Sequence, residues 1–496
     1  MTTTHDQTQP SPPQDDPPGD LPSDRSGQTQ PSSPQDDPPG DLPSDRSGDP
    51  SGHRPGAPSR DRPATASAPA TTPASRPPVS TPLWDRRFTL YFTARTVSLV
   101  GDAMMPVAAA LAVGALYGIF GVGLVLGVWT GTFVLLVLFG GVFADRFGAR
   151  RMMVAADLVR VLTQGALAVA FFAGPPPFWL LVTMAAVAGA AVAMFLPGVN
   201  GMVPLVARDP QRANATLKVA DALAHLLGPA LAGLLIALTN AGTVYAIDAG
   251  TFLLSAVCLA LIRLAPSDTA SVPPATDAVP STPNRGSLRR DLRQGWHEFR
   301  ARTWMWAVIL IWVAYGVLVF GPLVPLGSAL IGNRLGPDAY GLAVSFLGVG
   351  TVLGGLLALR VHPVRPLAAG AVAMALYTAL PLSVALGAGL PGLLAGHALG
   401  GGGLAFWSVM WATGVQTHTP PAVLNRVTAY ELAGSVSGIA LGQILAGPAT
   451  ALLSPQRFLL LSAGTCLAGC VALLATPAIR TLRRVAAPAQ DAPVSG

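Results

Sequence analysis

Between residues 83 and 479 the chain alternates between apolar runs, each about twenty residues long, and short polar turns. An α-helix rises about 1.5 Å per residue, so a run of that length crosses a hydrocarbon layer of about 30 Å. Only a helix or a closed barrel satisfies its backbone polar groups inside lipid, and continuous apolar runs favour the helix. The runs fall at 88–116, 120–143, 152–173, 178–205, 215–238 and 243–264, then at 304–330, 340–359, 366–388, 390–415, 427–453 and 458–479. They predict an all-α membrane protein with twelve transmembrane helices in two six-helix bundles (83–264 and 304–480), joined by a linker at 265–303. Composition agrees: 51% of residues are hydrophobic and 11% charged, with a mean hydropathy of +0.50. Soluble domains carry roughly a quarter charged residues, so a soluble multidomain protein is disfavoured.

The turns are charged unequally. Arg86, Arg87, Arg146, Arg150, Arg151, Arg208, Arg212, Lys218, Arg360, Arg365, Arg426, Arg480, Arg483 and Arg484 fall on one side of the expected membrane, and only Arg334 and Arg457 on the other. Cationic residues collect on the cytoplasmic side, which places both termini and the linker there and predicts a multi-pass protein of the bacterial inner membrane. The basic residues sit in short loops, so they act as topology signals, not as a nucleic-acid surface.

Residues 1–82 are rich in Pro, Ser, Asp and Gly and nearly devoid of large apolar side chains, which predicts a disordered cytoplasmic tail. Within it Gln7–Gly27 recurs as Gln28–Gly48, with Pro12 replaced by Ser33, a tandem duplication with no apolar face. The tail holds no apolar segment of the signal-peptide kind. The linker closes with Leu288, Leu292, Trp296 and Phe299 at helical spacing among arginines, an amphipathic basic helix suited to the membrane surface. Residues 481–496 form a second short cytoplasmic tail. Cys258, Cys466 and Cys470 lie in apolar runs and are expected to pack there; no metal-ligand spacing is present, and no cofactor is expected.

The turn after the second run reads GGVFADRFGARRMMVAADLVR from Gly140 to Arg160. Gly141 and Gly148 permit close approach and a tight turn, while Asp145 is placed to accept hydrogen bonds from an arginine or from the amides of a helix N-terminus. A degraded copy, Gly355 to Arg360, follows the eighth run and lacks the Asp. The segment from Leu83 to Arg484 resembles a twelve-helix member of the major facilitator superfamily. FLPGVNGMVPLVARDPQRANAT, GPALAGLLIAL and IDAGTFLLSAV are similar to the branch of enterobactin- and macrolide-exporter-like proteins. The resemblance implies a conformational gate formed by Gly141, Asp145, Arg146, Gly148, Arg150 and Arg151, with Asp145 latching the first half to the start of the eleventh helix. It departs from the family at Ala149, where a basic residue is frequent. On the fifth run, Gly228, Pro229 and Gly233 resemble a kinked antiporter motif, with Ala224 and Ala232 in place of glycines usual there.

Charge inside the membrane is costly and marks function. Arg95 and Asp102 lie two turns apart on the first helix and share a face. Asp102 is the main candidate to load and release a proton, or else it bridges to an arginine on a neighbouring helix. Asp157 and Arg160 on the third helix are three residues apart and expected to neutralise each other. Asp248 and Glu431 are further coupling candidates. The family fold implies a central cavity lined by helices one, four, seven and ten, which makes Met194, Asn200, Trp312, Tyr315, His397, Trp407 and Trp411 its candidate substrate surface. An apolar, aromatic wall suits a hydrophobic or amphipathic small molecule. These features predict a non-enzymatic secondary transporter, most simply a monomeric, proton-coupled exporter whose partners are its small-molecule substrate, protons and the bilayer. An uptake carrier of the same fold is the first alternative, and a non-transporting scaffold or receptor the second.

Overall fold

A computed structural model describes residues 84–207, 209–263, 303–418 and 421–482. The N-terminal tail, the amphipathic linker helix and the side chains of Asp145, Asn200 and Glu431 lie outside the described residues, and Gly141 falls within the helix that ends at Phe147. The elements are α1 (Arg86–Phe147), α2 (Ala149–Ala173), α3 (Phe178–Val206), α4 (Pro210–Leu238), α5 (Ala241–Leu261), α6 (Thr303–Tyr315), a π-helical turn (Gly316–Phe320) and α7 (Gly321–Leu335). They continue with α8 (Pro337–Arg360), α9 (Pro366–Met374), a 3-10 turn (Ala375–Thr378), α10 (Ala379–Ala385), α11 (Leu390–His418), α12 (Pro421–Ala449), α13 (Pro455–Ala475) and α14 (Pro477–Thr481). No strand occurs among them.

Ten helices among the described residues are long and apolar enough to cross a membrane. Two features separate that number from the twelve expected. The first two runs count as one span, Arg86–Val137, because the two helices they form join directly across a kink at Gly118 within α1, and α12 is not among the ten. Where a turn was expected in α1, the backbone bends at Gly118 with φ 63° and ψ −164°. A side chain there would meet nothing within 4 Å, so glycine is required for its positive φ alone. The Tyr117 hydroxyl fixes the bend by donating to Pro176 O across the next turn (2.7 Å).

The bundle has an arginine-rich end, with Arg150, Arg151, Arg263 and Arg360, and an arginine-poor end, where Arg334 lies. The first half packs α1 on α3 and α2 on α5, and the second packs α8 on α11. The halves meet through α1 with α12 and through α4 with α8. At the second contact a Cβ on Gly341 would lie 3.0 Å from Gly233 Cα and overlap Pro229 O. The residues expected to kink the fifth helix also form an inter-half contact: Pro229 lies inside α4, and Ala230 N donates to Ser345 Oγ of α8 (2.9 Å). At the first contact a Cβ on Gly447 would stand 2.6 Å from Phe120 Cα, and Thr130 Oγ1 donates to Gln443 Oε1 (2.8 Å). One apolar cluster crosses both halves at the arginine-poor end, including Val113, Val122, Leu326, Tyr340, Leu393 and Phe458. Toward the other end each half has its own, around Met153 and Phe195 in the first and around Met374 and Trp407 in the second. Inside lipid, close van der Waals packing holds helices together, so the shared cluster joins the halves at the arginine-poor end.

Candidate functional site

The first half encloses a cluster of charge contributed by α1, α2 and α5. Arg160 is only 2% exposed, and its Nη1 lies 3.2 Å from Asp102 Oδ2 and 3.8 Å from Asp157 Oδ1. The two aspartates thus share one guanidinium, with the cross-helix contact the shorter. Asp157 and Arg160 pair one turn apart as expected, and Arg160 also makes the bridge to a neighbouring helix that was the alternative for Asp102. The guanidinium carbon also stands 4.4 Å from the ring centre of Phe195 and 4.7 Å from that of Phe252. Aromatic faces stabilise a cation electrostatically, more so away from water. Arg95 approaches the outer part of the same group, 5.6 Å from the Phe195 centroid.

Asp157 is fully enclosed. Its Oδ2 accepts from Ser255 Oγ at 2.6 Å, whereas Oδ1 has no hydrogen bond. Asp248, two turns into α5, also has no exposure. It faces the backbone of α1 at Gly101, where a Cβ would overlap Asp248 Oδ1 and Thr251 Oγ1 and stand 3.3 Å from Asp248 Cγ. Thr251 Oγ1 donates to Asp248 O (2.7 Å), and Asp248 Oδ2 is unbonded. Asp248, a further coupling candidate from the sequence, is seated against the Asp102 segment. Asp102, with 34% of its side chain exposed, is the one of the three aspartates that is not enclosed. Desolvated charges are tolerated in an apolar interior when paired and hydrogen-bonded, and one arginine here serves carboxylates from two helices.

Sequence reasoning missed Phe195, Phe252, Ser255 and Gly101. Their one available signal was spacing: Ser255 lies two turns from Asp248 and Gly101 adjoins Asp102. Of the substrate-surface candidates, Trp312, Trp407 and Trp411 come together. Trp312 stacks on Trp407 (5.2 Å, 25°) and Trp407 on Trp411 (6.0 Å, 15°). They line a cavity of about 210 Å3 with Ser408 and Ser435. Tyr315 is buried, and its hydroxyl donates to Cys466 O of α13 (2.7 Å). His397 Nδ1 lies 2.7 Å from Leu393 O one turn back on its own helix. Met194 is half-buried on α3, beside Phe195 in sequence. The three cysteines are buried, and the described residues contain no group of His, Cys, Asp and Glu able to hold a metal ion.

At the turn between α1 and α2, Gly148 has φ 86°. Arg150 Nη1 donates to Ile262 O and, at 3.5 Å, to Ala260 O, tying the start of α2 to the end of α5. Cations favour that position because the last carbonyls of a helix are unsatisfied. Arg146 lies over its neighbour Phe147 (5.6 Å), and Arg151 is exposed. Asp221 and His225, one turn apart on α4, stand 4.0 Å from each other with the His side chain 64% exposed.

Apolar helices in two halves, close inter-half glycine contacts and a buried charge cluster define a multi-pass helical membrane transporter. The family model of the Major Facilitator Superfamily matches residues 90–431, and the chain belongs to that superfamily. Among curated proteins it is 25% identical to the enterobactin exporter EntS of Salmonella paratyphi A over 435 residues, 82% of this chain and 95% of that protein. It is 24% identical to macrolide efflux protein A of Streptococcus pyogenes over 223 residues, which cover 44% of this chain and about half (52%) of that protein. Solved structures share the fold: the nucleoside transporter NupG has a TM-score of 0.64 at 12% identity, covering 80% of this chain and 100% of that one. The peptide transporter POT has a TM-score of 0.61 at 15% identity, covering 82% and 98%.

Proposed function

We propose that this transporter is a proton-coupled exporter of hydrophobic or amphipathic small molecules in the bacterial inner membrane, with both termini cytoplasmic. The observation that carries the coupling is Arg160, shared between half-exposed Asp102 and enclosed Asp157, with Asp248 beside them. Protonation of Asp102 discharges the carboxylate nearest to Arg160, leaving the guanidinium to close on Asp157 in the same pocket. Loss of that proton restores the link between α1 and α2. Each exchange changes which helices are tied together, which is how a local charge event biases a bundle with two arrangements.

With the arginine-rich end in the cytoplasm, the contacts at Gly341, Gly447 and the shared apolar cluster close the outer side. The gate is the α1–α2 turn, with Asp145 latching the halves on the inner side when the outer side opens. The indole stack on α6 and α11 is the substrate-facing wall, and its apolar aromatic character favours lipophilic cargo. The efflux relatives support export as the direction.

The test is a compound panel in everted membrane vesicles, following collapse of the pH gradient on addition of each compound. Amphipathic compounds collapse the gradient in wild type, and Asp102→Asn abolishes the response at equal protein level. An unaltered response in Asp102→Asn removes the coupling assignment, and a response confined to small polar metabolites removes the substrate class.

A further inference from the structure

A cavity of about 600 Å3 opens at the arginine-rich end of the first half, beside the α1–α2 turn proposed as the gate. Arg150, Arg151 and Arg263 line it, together with Phe147 and Leu205. The cations come from two segments far apart in sequence, the start of α2 and the residues that follow α5. No carboxylate among the described residues stands within ion-pairing distance of any of the three. Arg150 is anchored through Nη1 on the α5 carbonyls, which fixes its charge at the cavity, whereas Arg151 and Arg263 are exposed.

Three cations drawn to one cavity repel each other unless an anion joins them. Guanidinium forks match phosphate oxygens in geometry and form the stronger, charge-assisted hydrogen bonds. The remaining lining is apolar: Phe147 is 48% exposed and stacks on Phe143 at 6.2 Å. The cavity lies where membrane helices end, so its arginines are at the level of lipid headgroups and its aromatic edge at the level of the upper acyl chain.

We infer that this cavity is a binding site for a phosphate-bearing anion, with the headgroup phosphate of an acidic phospholipid as the source its position favours. Arg151 and Arg263 grip the phosphate, and Arg150 supplies fixed positive charge behind it. Occupancy ties the start of α2 to the residues after α5 and stiffens the turn that carries Gly148.

The experiment uses the full-length protein purified into nanodiscs of phosphatidylcholine alone or of an equimolar mixture with phosphatidylglycerol. In parallel, inorganic phosphate is titrated in detergent, and melting temperature and lipids retained in native mass spectrometry are read for each. Phosphatidylglycerol raises the wild-type melting temperature and is retained, and the double variant Arg151→Gln/Arg263→Gln lowers its affinity about tenfold or more. Arg360→Gln/Arg365→Gln, which removes equal charge from the second half, keeps the wild-type response. A response to inorganic phosphate that equals that to the lipid, and is lost in the same double variant, assigns the site to free phosphate. Equal responses of wild type and both double variants, or no response to either anion in wild type, overturn the inference.

Discussion

Replacing Gly101 with alanine probes the tightest point of the buried charge cluster. The added Cβ overlaps both Asp248 Oδ1 and Thr251 Oγ1 and reaches to 3.3 Å from Asp248 Cγ. Asp248 has no exposure, so its carboxylate has no open solvent to swing into, and relief requires α1 and α5 to move apart. Overpacking of this kind costs about 1–3 kcal/mol. Removing a glycine from a helix interior returns up to about 1 kcal/mol. Two overlaps on a carboxylate that cannot move aside put the cost at the upper end of that range, so the clash wins, with a net loss of up to about 2 kcal/mol, a fall of a few degrees in melting temperature. The assay is thermal unfolding of the purified protein. Gly250→Ala is its control, since a side chain at Gly250 on the same α5 meets nothing within 4 Å, and that variant melts at or above wild type. In an Asp248→Ala/Thr251→Ala background both overlapping oxygens are gone, and Gly101→Ala no longer destabilises. The difference between backgrounds is the coupling term of a mutant cycle, expected at about 0.5–3 kcal/mol for groups in contact. A Gly101→Ala protein that melts with wild type, or loses as much in the stripped background, refutes the close seating of Asp248 on α1.

Ser255→Ala removes the donor held by Asp157 Oδ2 at 2.6 Å and leaves a fully buried carboxylate with no hydroxyl partner; a loss of about 1–3 kcal/mol in thermal unfolding is expected. Gly341→Leu drives a side chain into Pro229 O and Gly233, so cysteine cross-linking between α4 and α8 should fall at unchanged membrane insertion, and unaltered cross-linking counts against this inter-half contact. Asp145→Asn keeps size and removes the proposed latch charge; transport should drop while expression and topology stay as in wild type, and equal transport at equal expression would dismiss the gate.

Much of the architecture was legible in the linear chain, and particular residues show why. Apolar runs of membrane length, interrupted by Arg150 and Arg151 or by Arg360 and Arg365, specify helices that must be buried in lipid and the end on which cations collect. The same runs made Asp102, Asp157, Arg160 and Asp248 conspicuous, because charge inside an apolar helix carries a large desolvation cost. The turn expected between the first two runs falls at Gly118, whose positive φ and non-helical ψ separate two helices.

Partner choice was decided by tertiary structure alone. Helical spacing placed Asp157 one turn from Arg160, yet the shorter contact is with Asp102 on another helix, because the rotation of each helix about its axis is set by packing against its neighbours. Asp248 meets the Asp102 segment because Gly101 lets α1 and α5 come close. Trp312 lies about ninety-five residues from Trp407 along the chain, and only the tertiary structure stacks it there with Trp411 beyond. The sequence by itself determined which residues must leave water and which cannot do so cheaply; only the packed bundle decided which charges and rings meet, since those contacts join residues whose separation along the chain carries no periodic signal.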